Sequence, residues 1–568
     1  MSRRNRKRPG PLPIAAPAPE PLEPDKRRIW IGALLCAALT IAGLAPFATR
    51  AFNIDDTLFL YAARQIGDHP ADPYGFVINW YGHEMPMSDV TQNPPLACYF
   101  IALAAGCLGW SEAALHIAFM LPAVAVVLGT YFLALRFCGK PLVAALATAF
   151  CPVFMVSNVT VMCDTLMLAF WMWAVISWLR GMGGGNRVFP ILSACLIAAA
   201  VLTKYFAIAL VPLLLAYSLL RWQRIGWRIL YLLIPIVAVL LYDSVTRSLY
   251  GRSMFLGAGS YAAARASPSE YADRLLITLS FMGGCLAMML FYSPLLWSRW
   301  GVAIGVVAAG LLFGLFSSMT KISNFPFPAD HGARLTLAAH FAVFVVAGAG
   351  VLALAIADLK HRRDAESALL LLWIVGTFLF SWVLNWTING RSILPMAPVV
   401  SILIVRRVQQ RWPDWAAWRF RWEFVPLVLT GLLAMAVTWA DVKLADVART
   451  AAAEIHNRYA GREDRVQFQG HWGFQYYMES LGFKAWIIGE QVPPGGVLIL
   501  PENNTNVYQL PMPPFAEVDR IQLPACPIMT TMNIANGAGF YASVWGPLPF
   551  AFCAVPMECY HVMVLTSK

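Results

Sequence analysis

Two adjacent carboxylates, Asp55 and Asp56, open the stretch DDTLFLYAARQIG, just beyond an apolar run that starts at Ile29. Such a pair has a structural use. With Asn53 as N-cap, Asp56 falls in the first helical turn, where a carboxylate meets the positive end of the helix dipole. That use occupies one acid and leaves its neighbour as a base for a bound substrate. Asp164, in VTVMCDTLMLAFWMW, lies inside an apolar run. An ionisable side chain there is costly and marks a functional site by default, the local alternative being hydrogen bonds to backbone or to Asn158. Lys204, in AAAVLTKYFAIAL, sits at a sharp turn between apolar runs and offers an ammonium to Asp164 or to a phosphate. The alternative is a lysine snorkelling to the interface. Arg391, in NWTINGRSILPMAPVV, carries a donor fork that fits phosphate oxygens; lipid headgroups are the competing partner. Lys321 and Arg334, with His331, are weaker phosphate contacts. His83 and Glu84, near Asp89, are donors for a divalent cation, although their spacing matches no tight site and loop polarity is the competing reading. No other cofactor follows from the residues.

These side chains have to be positioned by membrane-spanning elements. The chain has 568 residues, 59% hydrophobic and only 13% charged, with a mean hydropathy of +0.60. Soluble domains carry roughly 25% charged residues, so the composition indicates a multispanning membrane protein. About thirteen spans are predicted, over 29–49, 113–135, 141–157, 161–179, 188–203, 205–220, 229–247, 276–297, 301–319, 336–357, 368–386, 391–405 and 424–440. The formal net charge of +11 comes from basic residues clustered at span ends, in RFCGK, RGMGGGNR, RWQRIGWR, SRW, KHRR and RRVQQRWPDWAAWRFRW. That is the pattern of cytoplasmic loops, not of a nucleic-acid surface. The alternation holds only if 188–203 and 205–220 are separate spans. It puts the N-terminus inside and the C-terminal part outside.

Residues 1–28 read as a disordered basic cytoplasmic tail, rich in proline. The first apolar run is too long for a typical signal-peptide core, so it is expected to be retained. Residues 29–441 form the membrane domain, with a long first outer loop at 50–112. That loop starts with an amphipathic helix, and its segment NPPLACYFIALAAGCLGW reads as a helix on the membrane surface. Further outer loops are Gly251 to Arg274 and Lys321 to Arg334. No internal repeat supports an inverted-repeat transporter. Residues 442–568 read as a small extracytoplasmic α/β domain, with strands at RVQFQG and GGVLILP and a short helix at HWGFQYYMESLG. GAGFYASVWGPLPFAF is too rich in glycine and proline to assign. Eight of the eleven cysteines lie in or near spans and read as packing residues. Cys526, Cys553 and Cys559 lack C-x-x-C spacing, which speaks against a zinc site and leaves one disulfide open.

Under this topology Asp55, Asp56, Asp164, Lys204 and Arg391 all fall at one membrane face. Acids beside cations at one face suit a transferase with a lipid-phosphate donor: a carboxylate takes the acceptor proton and a cation stabilises the departing phosphate. A transporter or lipid flippase would instead string charges across the bilayer, and Asp243 is the main mid-span candidate. A third class, an assembly protein docking through its C-terminal part, would need neither Asp55 nor Lys204.

The same residues carry a resemblance. An outer acidic pair after the first span, an Asn93-Pro-Pro-Leu96 stretch, Asp164-Thr-Leu, Leu202-Thr-Lys204 and Arg391-x-x-Leu-Pro395 are similar to the GT-C membrane glycosyltransferases. Among these the chain most resembles the lipid A aminoarabinose transferases and the protein O-mannosyltransferases, over about residues 29–440. The resemblance implies a GT-C-type polytopic fold and a polyprenyl-phosphate sugar donor. It also implies inverting transfer on the extracytoplasmic face of a bacterial inner membrane, to a periplasmic lipid, glycan or protein. Asp55 matches the catalytic acid, with Asp56 in place of the commoner glutamate, so Asp56 reaches less far. Asp164 matches a second acid, Lys204 the lysine after Leu-Thr, and Arg391 a phosphate contact.

Overall fold

The computed structural model describes residues 26–183, 186–221, 226–264, 270–413, 424–493, 495–510 and 514–565. Most of the expected N-terminal tail, and parts of the basic loops at 221–228 and 406–422 and of the outer loop 251–274, lie outside these residues. Every predicted span coincides with helix. Among the described residues nine helices are long and apolar enough to cross a membrane, and two bent pairs bring the number to as many as eleven. The first pair, Pro141–Ala149 with Pro152–Asn158, turns by 58°. Pro152 lacks an N–H and can start a helix but not continue one, which accounts for the break. The second pair, Tyr271–Cys285 with Met288–Leu296, turns by 83° just after the glycine pair Gly283-Gly284. Gly283 and Gly348 also let the helices Tyr271–Cys285 and His331–Arg362 approach closely, because a Cβ at either would strike the other helix's backbone.

The two remaining expected spans, Val188–Thr203 and Tyr205–Arg221, are separate short helices broken at Lys204, as the charge alternation required. At 1.5 Å per residue, 16 residues reach about 24 Å, somewhat less than a bilayer core of about 30 Å. Helix Asp56–Asp68 is the amphipathic start of the long loop, and Leu96–Leu108 is its apolar second helix. The latter, with 13 residues, is too short to span and packs on the former. Helix Lys26–Leu44 begins three residues earlier than expected.

Helix Phe424–Tyr459 runs without interruption through residue 441 and carries the chain into the C-terminal part. There a five-stranded sheet has the order Lys484–Ala485, Val466–Phe468, Val497–Pro501, Glu558–Leu565, Phe515–Leu523. The first three strands are parallel, and Glu558–Leu565 is antiparallel to both neighbours. Helix Trp472–Ser480 covers it. Phe468, Phe474, Tyr560, Val562 and the end of helix Phe424–Tyr459 form its own apolar core. Residues 526–551 behave differently. Met529, Phe540, Leu548 and Phe550 belong to the same core as the membrane helices. Phe550 packs on Phe344, and Phe552 stacks on His340. The glycine- and proline-rich stretch that local pattern left unassigned is thus the seam between the two parts. The protein is an all-α polytopic membrane protein with a small C-terminal α/β region.

Candidate active site

A cavity of about 1300 Å³ lies where the loop after the first span, the C-terminal part and several helix ends meet. Asp55, Lys204 and Arg391 line it, and Asp164 stands behind them. The four charges form one row. Lys204 Nζ donates to Asp164 Oδ1 at 2.5 Å. Arg391 Nη1 lies 3.9 Å from Asp164 Oδ2, and Arg391 Nη2 donates to Asp55 Oδ2 at 2.9 Å. The Asp55 side chain is 34% exposed, the most accessible of the four.

Local backbone chemistry explains each position. Asp164 is the second residue of helix Cys163–Gly183, at the positive end of its dipole. Lys204 directly follows helix Val188–Thr203, at the negative end of a dipole, and its N–H closes that helix on the Ala200 carbonyl. These two neighbouring helices therefore present opposite charges at one level. Asn158 does not bind Asp164; its amide donates to the Phe154 carbonyl. Arg391 lies in the short helix Gly390–Ile393, capped by Asn389, whose Oδ1 accepts from Ser392 N at 2.8 Å. Gly390 is required there: its N–H donates to the Phe540 carbonyl, and a Cβ would come within 2.5 Å of the Phe540 ring. Arg391 is 12% exposed and lies over the Tyr541 ring, 5.7 Å from its centre.

The acidic pair is divided by the fold. Asp55 precedes helix Asp56–Asp68, makes no capping bond and points at Arg391. Asp56, expected to help orient the acceptor, is fully buried and does not line the cavity. Its carboxylate accepts from Asn53 N at 3.1 Å, Val161 N at 2.9 Å and Arg50 Nη1 at 3.0 Å. Asn53 does not cap this helix; its side chain accepts from Gly473 N. Arg50, also fully buried, bridges Asp56 to Asp441 at 3.0 Å on each side. Burial by itself would lower the Arg50 pKa, but the adjacent carboxylates Asp441 and Asp56 hold it above its usual range. The Tyr541 hydroxyl donates to Asp441, and burial with the adjacent Asp441 raises its pKa, so it remains a donor. One buried network thus joins the first loop, the last long helix and the C-terminal part directly beneath Arg391.

Backbone strain gathers at the same place. Five described residues other than glycine have positive φ, and three of them line the cavity: Ile54 at 53°, Trp472 at 62° and Asn506 at 54°. A β-branched residue there costs about 1–3 kcal/mol and persists only where its surroundings enforce it. Ile54, itself buried, makes the turn that separates Asp55 from the network around Asp56. Helix Ala365–Leu379 ends in a π-helical turn, Phe380–Leu384, on the cavity wall, a distortion common at functional sites. Trp80, Trp386, Trp472, Trp545 and Tyr541 give the wall wide aromatic faces.

The weaker candidates are not gathered here. Lys321 is exposed in a small hairpin, and Arg334 donates to the Pro328 carbonyl; neither lines the cavity. His83 and Glu84 sit at the turn of the hairpin that pairs Val77–Asn79 with Glu84–Pro86, and do not line the cavity. Asp243 is satisfied locally by Arg247 and Ser253, and forms no relay with the charged row. Arg50, Tyr541, Trp472 and Trp545 were missed. No local signal marks them: Arg50 is a single basic residue just past the first apolar run, and the other three are aromatics without periodicity.

Comparison with known proteins agrees with the resemblance read from the motifs. Residues 92–246 match the family described as dolichyl-phosphate-mannose-protein mannosyltransferase. No curated protein sequence matches. Among solved structures, the Archaeoglobus fulgidus oligosaccharyltransferase tethered to an acceptor peptide aligns at 13% identity with a TM-score of 0.47, over 81% of this chain and 64% of its own. ArnT from Cupriavidus metallidurans bound to undecaprenyl phosphate aligns at 12% with a TM-score of 0.40, over 84% and 93%. The mycobacterial arabinofuranosyltransferase AftD aligns at 13% with a TM-score of 0.40, over 96% and 42%. This chain therefore spans less than two thirds of the archaeal enzyme's length, and less than half of AftD's. Residues 92–246, which include Asp164 and Lys204, carry the sequence pattern of the dolichyl-phosphate-mannose-protein mannosyltransferase family, and the chain resembles the GT-C membrane glycosyltransferases.

Proposed function

We propose that the chain transfers a sugar from a polyprenyl-phosphate carrier to a hydroxyl of an extracytoplasmic acceptor, with inversion at the anomeric carbon. The observation that carries this reading is the row Lys204–Asp164–Arg391–Asp55 on the wall of one large aromatic cavity. Asp55 is the base. It takes the proton as the acceptor oxygen bonds to the anomeric carbon, while the bond from that carbon to the phosphate oxygen breaks. The departing electron pair stays on the phosphate. Arg391 and Lys204 face that charge, and Asp164, held between them, fixes both cations. Proton removal by a positioned base is worth about 10²–10⁴-fold, and preorganised cations add electrostatic stabilisation where charge develops. Aromatic faces suit the apolar sides of sugar rings and the isoprenoid next to the phosphate.

The direct test is transfer of labelled sugar from undecaprenyl-phosphate donors in proteoliposomes of the purified chain. Product formation that depends on Asp55 and Arg391 supports the reading. Movement of lipid across the bilayer without covalent product would replace it with a flippase. The acceptor, as lipid, glycan or protein, would be identified by the mass of the product. The expected setting is a bacterial inner membrane with the cavity on the periplasmic side, which protease accessibility of the C-terminal part in spheroplasts would test.

A further inference from the structure

A second cluster lies on the C-terminal sheet, among residues that the charged row does not use. Cys559 and His561 are two apart on strand Glu558–Leu565, so they share one face. Glu502 directly follows strand Val497–Pro501. The register pairs Pro501 with Tyr560, and Glu502 N donates to the Cys559 carbonyl at 2.9 Å. The result is that a thiol sulfur, an imidazole nitrogen and a carboxylate oxygen all lie within 4.8 Å of one another. His561 Nε2 is 4.0 Å from the Glu502 carboxylate, while Nδ1 faces Glu517 Oε1 at 3.3 Å. Glu517 is itself held by Arg520 at 2.8 Å. An imidazole with one nitrogen turned to other ligands and the other on a fixed carboxylate is the usual arrangement of a metal-binding histidine.

We propose that Glu502, Cys559 and His561 form a site for a divalent transition ion of the zinc class. Thiolate with imidazole selects such ions over calcium or magnesium. Tetrahedral ligands stand about 3.5 Å apart, so closure around an ion needs a small inward rotation. Glu502, with a side chain 69% exposed, is free to make it. The absence of a C-x-x-C pair had argued against zinc. The sheet supplies instead one cysteine, one histidine and one glutamate from two strands whose adjacency local spacing does not reveal.

The ion would act on the cavity through one short segment. Glu502 is followed by Asn503, whose amide donates to the Met532 carbonyl at 3.2 Å and to Glu558 at 2.9 Å. Asn504 Oδ1 accepts from His471 N at 2.8 Å, and Thr505 and Asn506 line the cavity. An ion at Glu502 therefore fastens the root of a strained cavity-wall segment to the sheet.

The test uses the full chain, purified in detergent, stripped with chelator and titrated with Co²⁺ and then Zn²⁺. The expected result is one Co²⁺ per chain with a thiolate-to-metal absorption band that Zn²⁺ displaces. Cys559→Ser abolishes the band. Glu502→Gln, a change at an exposed position that leaves the fold intact, weakens binding tenfold or more. Zn²⁺ raises the melting temperature of the parent chain and of neither variant. Binding without a thiolate band, or binding undiminished in Glu502→Gln, overturns the proposal. If Cys559→Ser fails to fold, His561→Gln decides: a tenfold or greater loss of Co²⁺ affinity supports the site, and parent-like affinity refutes it.

Discussion

Replacing Asp55 and Asp56 one at a time by asparagine separates chemistry from architecture at two consecutive residues. Asp55 has one charged partner, Arg391 at 2.9 Å, and its side chain is one third exposed. Screening limits the stability carried by such a pair to about 1 kcal/mol or less. Asp55→Asn therefore melts close to the parent. Its turnover falls about 10²–10⁴-fold, or about 3–5 kcal/mol in the barrier, because the amide cannot accept the hydroxyl proton. Asp56 is the opposite case. Three donors converge on its fully buried carboxylate. An amide there offers one oxygen to three donors, turns its own NH₂ toward one of them, and leaves Arg50 with one fewer buried counter-charge. Breaking a buried ion pair in this way costs about 3–5 kcal/mol. Asp56→Asn should lose folded protein and melting temperature, while whatever remains folded turns over faster than Asp55→Asn. The assays are sugar transfer from an undecaprenyl-phosphate donor, normalised to folded protein, and thermal unfolding in the same detergent. Turnover of Asp55→Asn within tenfold of the parent, or parent-like melting of Asp56→Asn, would refute the division of roles.

Arg391→Lys keeps the charge but loses the fork that reaches Asp55 and Asp164 together; kcat/KM for the donor should fall about 10²-fold, checked by initial rates across donor concentration. Gly390→Ala forces a methyl against the Phe540 ring, so a melting loss of about 1–3 kcal/mol and reduced turnover through the displaced Arg391 are expected in paired unfolding and transfer assays. His471, stacked on Trp80 at the cavity wall, is buried, which lowers its pKa from 6.5 to about 4. Below pH 6.5 the unfolded chain takes up a proton that the folded chain refuses until about pH 4, so stability is intact above pH 6.5 and falls as pH drops through this window. The loss amounts to about 3 kcal/mol, and His471→Gln should remove that part of the pH dependence of unfolding.

Much of the membrane part was legible because its signals are local. Apolar runs of membrane length mark spans whatever their neighbours are, since lipid leaves the backbone no partner but its own helix. The break at Lys204 followed from charge alternation alone, and the structure places it between two short helices. The candidate site was half legible. An acid or base at a span end announces its cost wherever the chain later goes, which is why Asp55, Asp164, Lys204 and Arg391 could be named. Lys321, Arg334, His83 and Glu84 are as polar in sequence, but their loops do not bring them to the cavity.

The order of the spans and two of the five strands of the C-terminal sheet, Val466–Phe468 and Val497–Pro501, were determined by sequence alone, because periodicity and charge act over a few neighbouring residues. Which acid of the pair faces the cavity was decided only by the tertiary structure. Arg50, Asp441 and Val161 come from three different segments, and together they pull Asp56 inward and leave Asp55 to the cavity. The same holds for Tyr541 beneath Arg391 and for Cys559 beside Glu502 and His561. Contacts between distant segments depend on packing, and no local pattern in the chain encodes them.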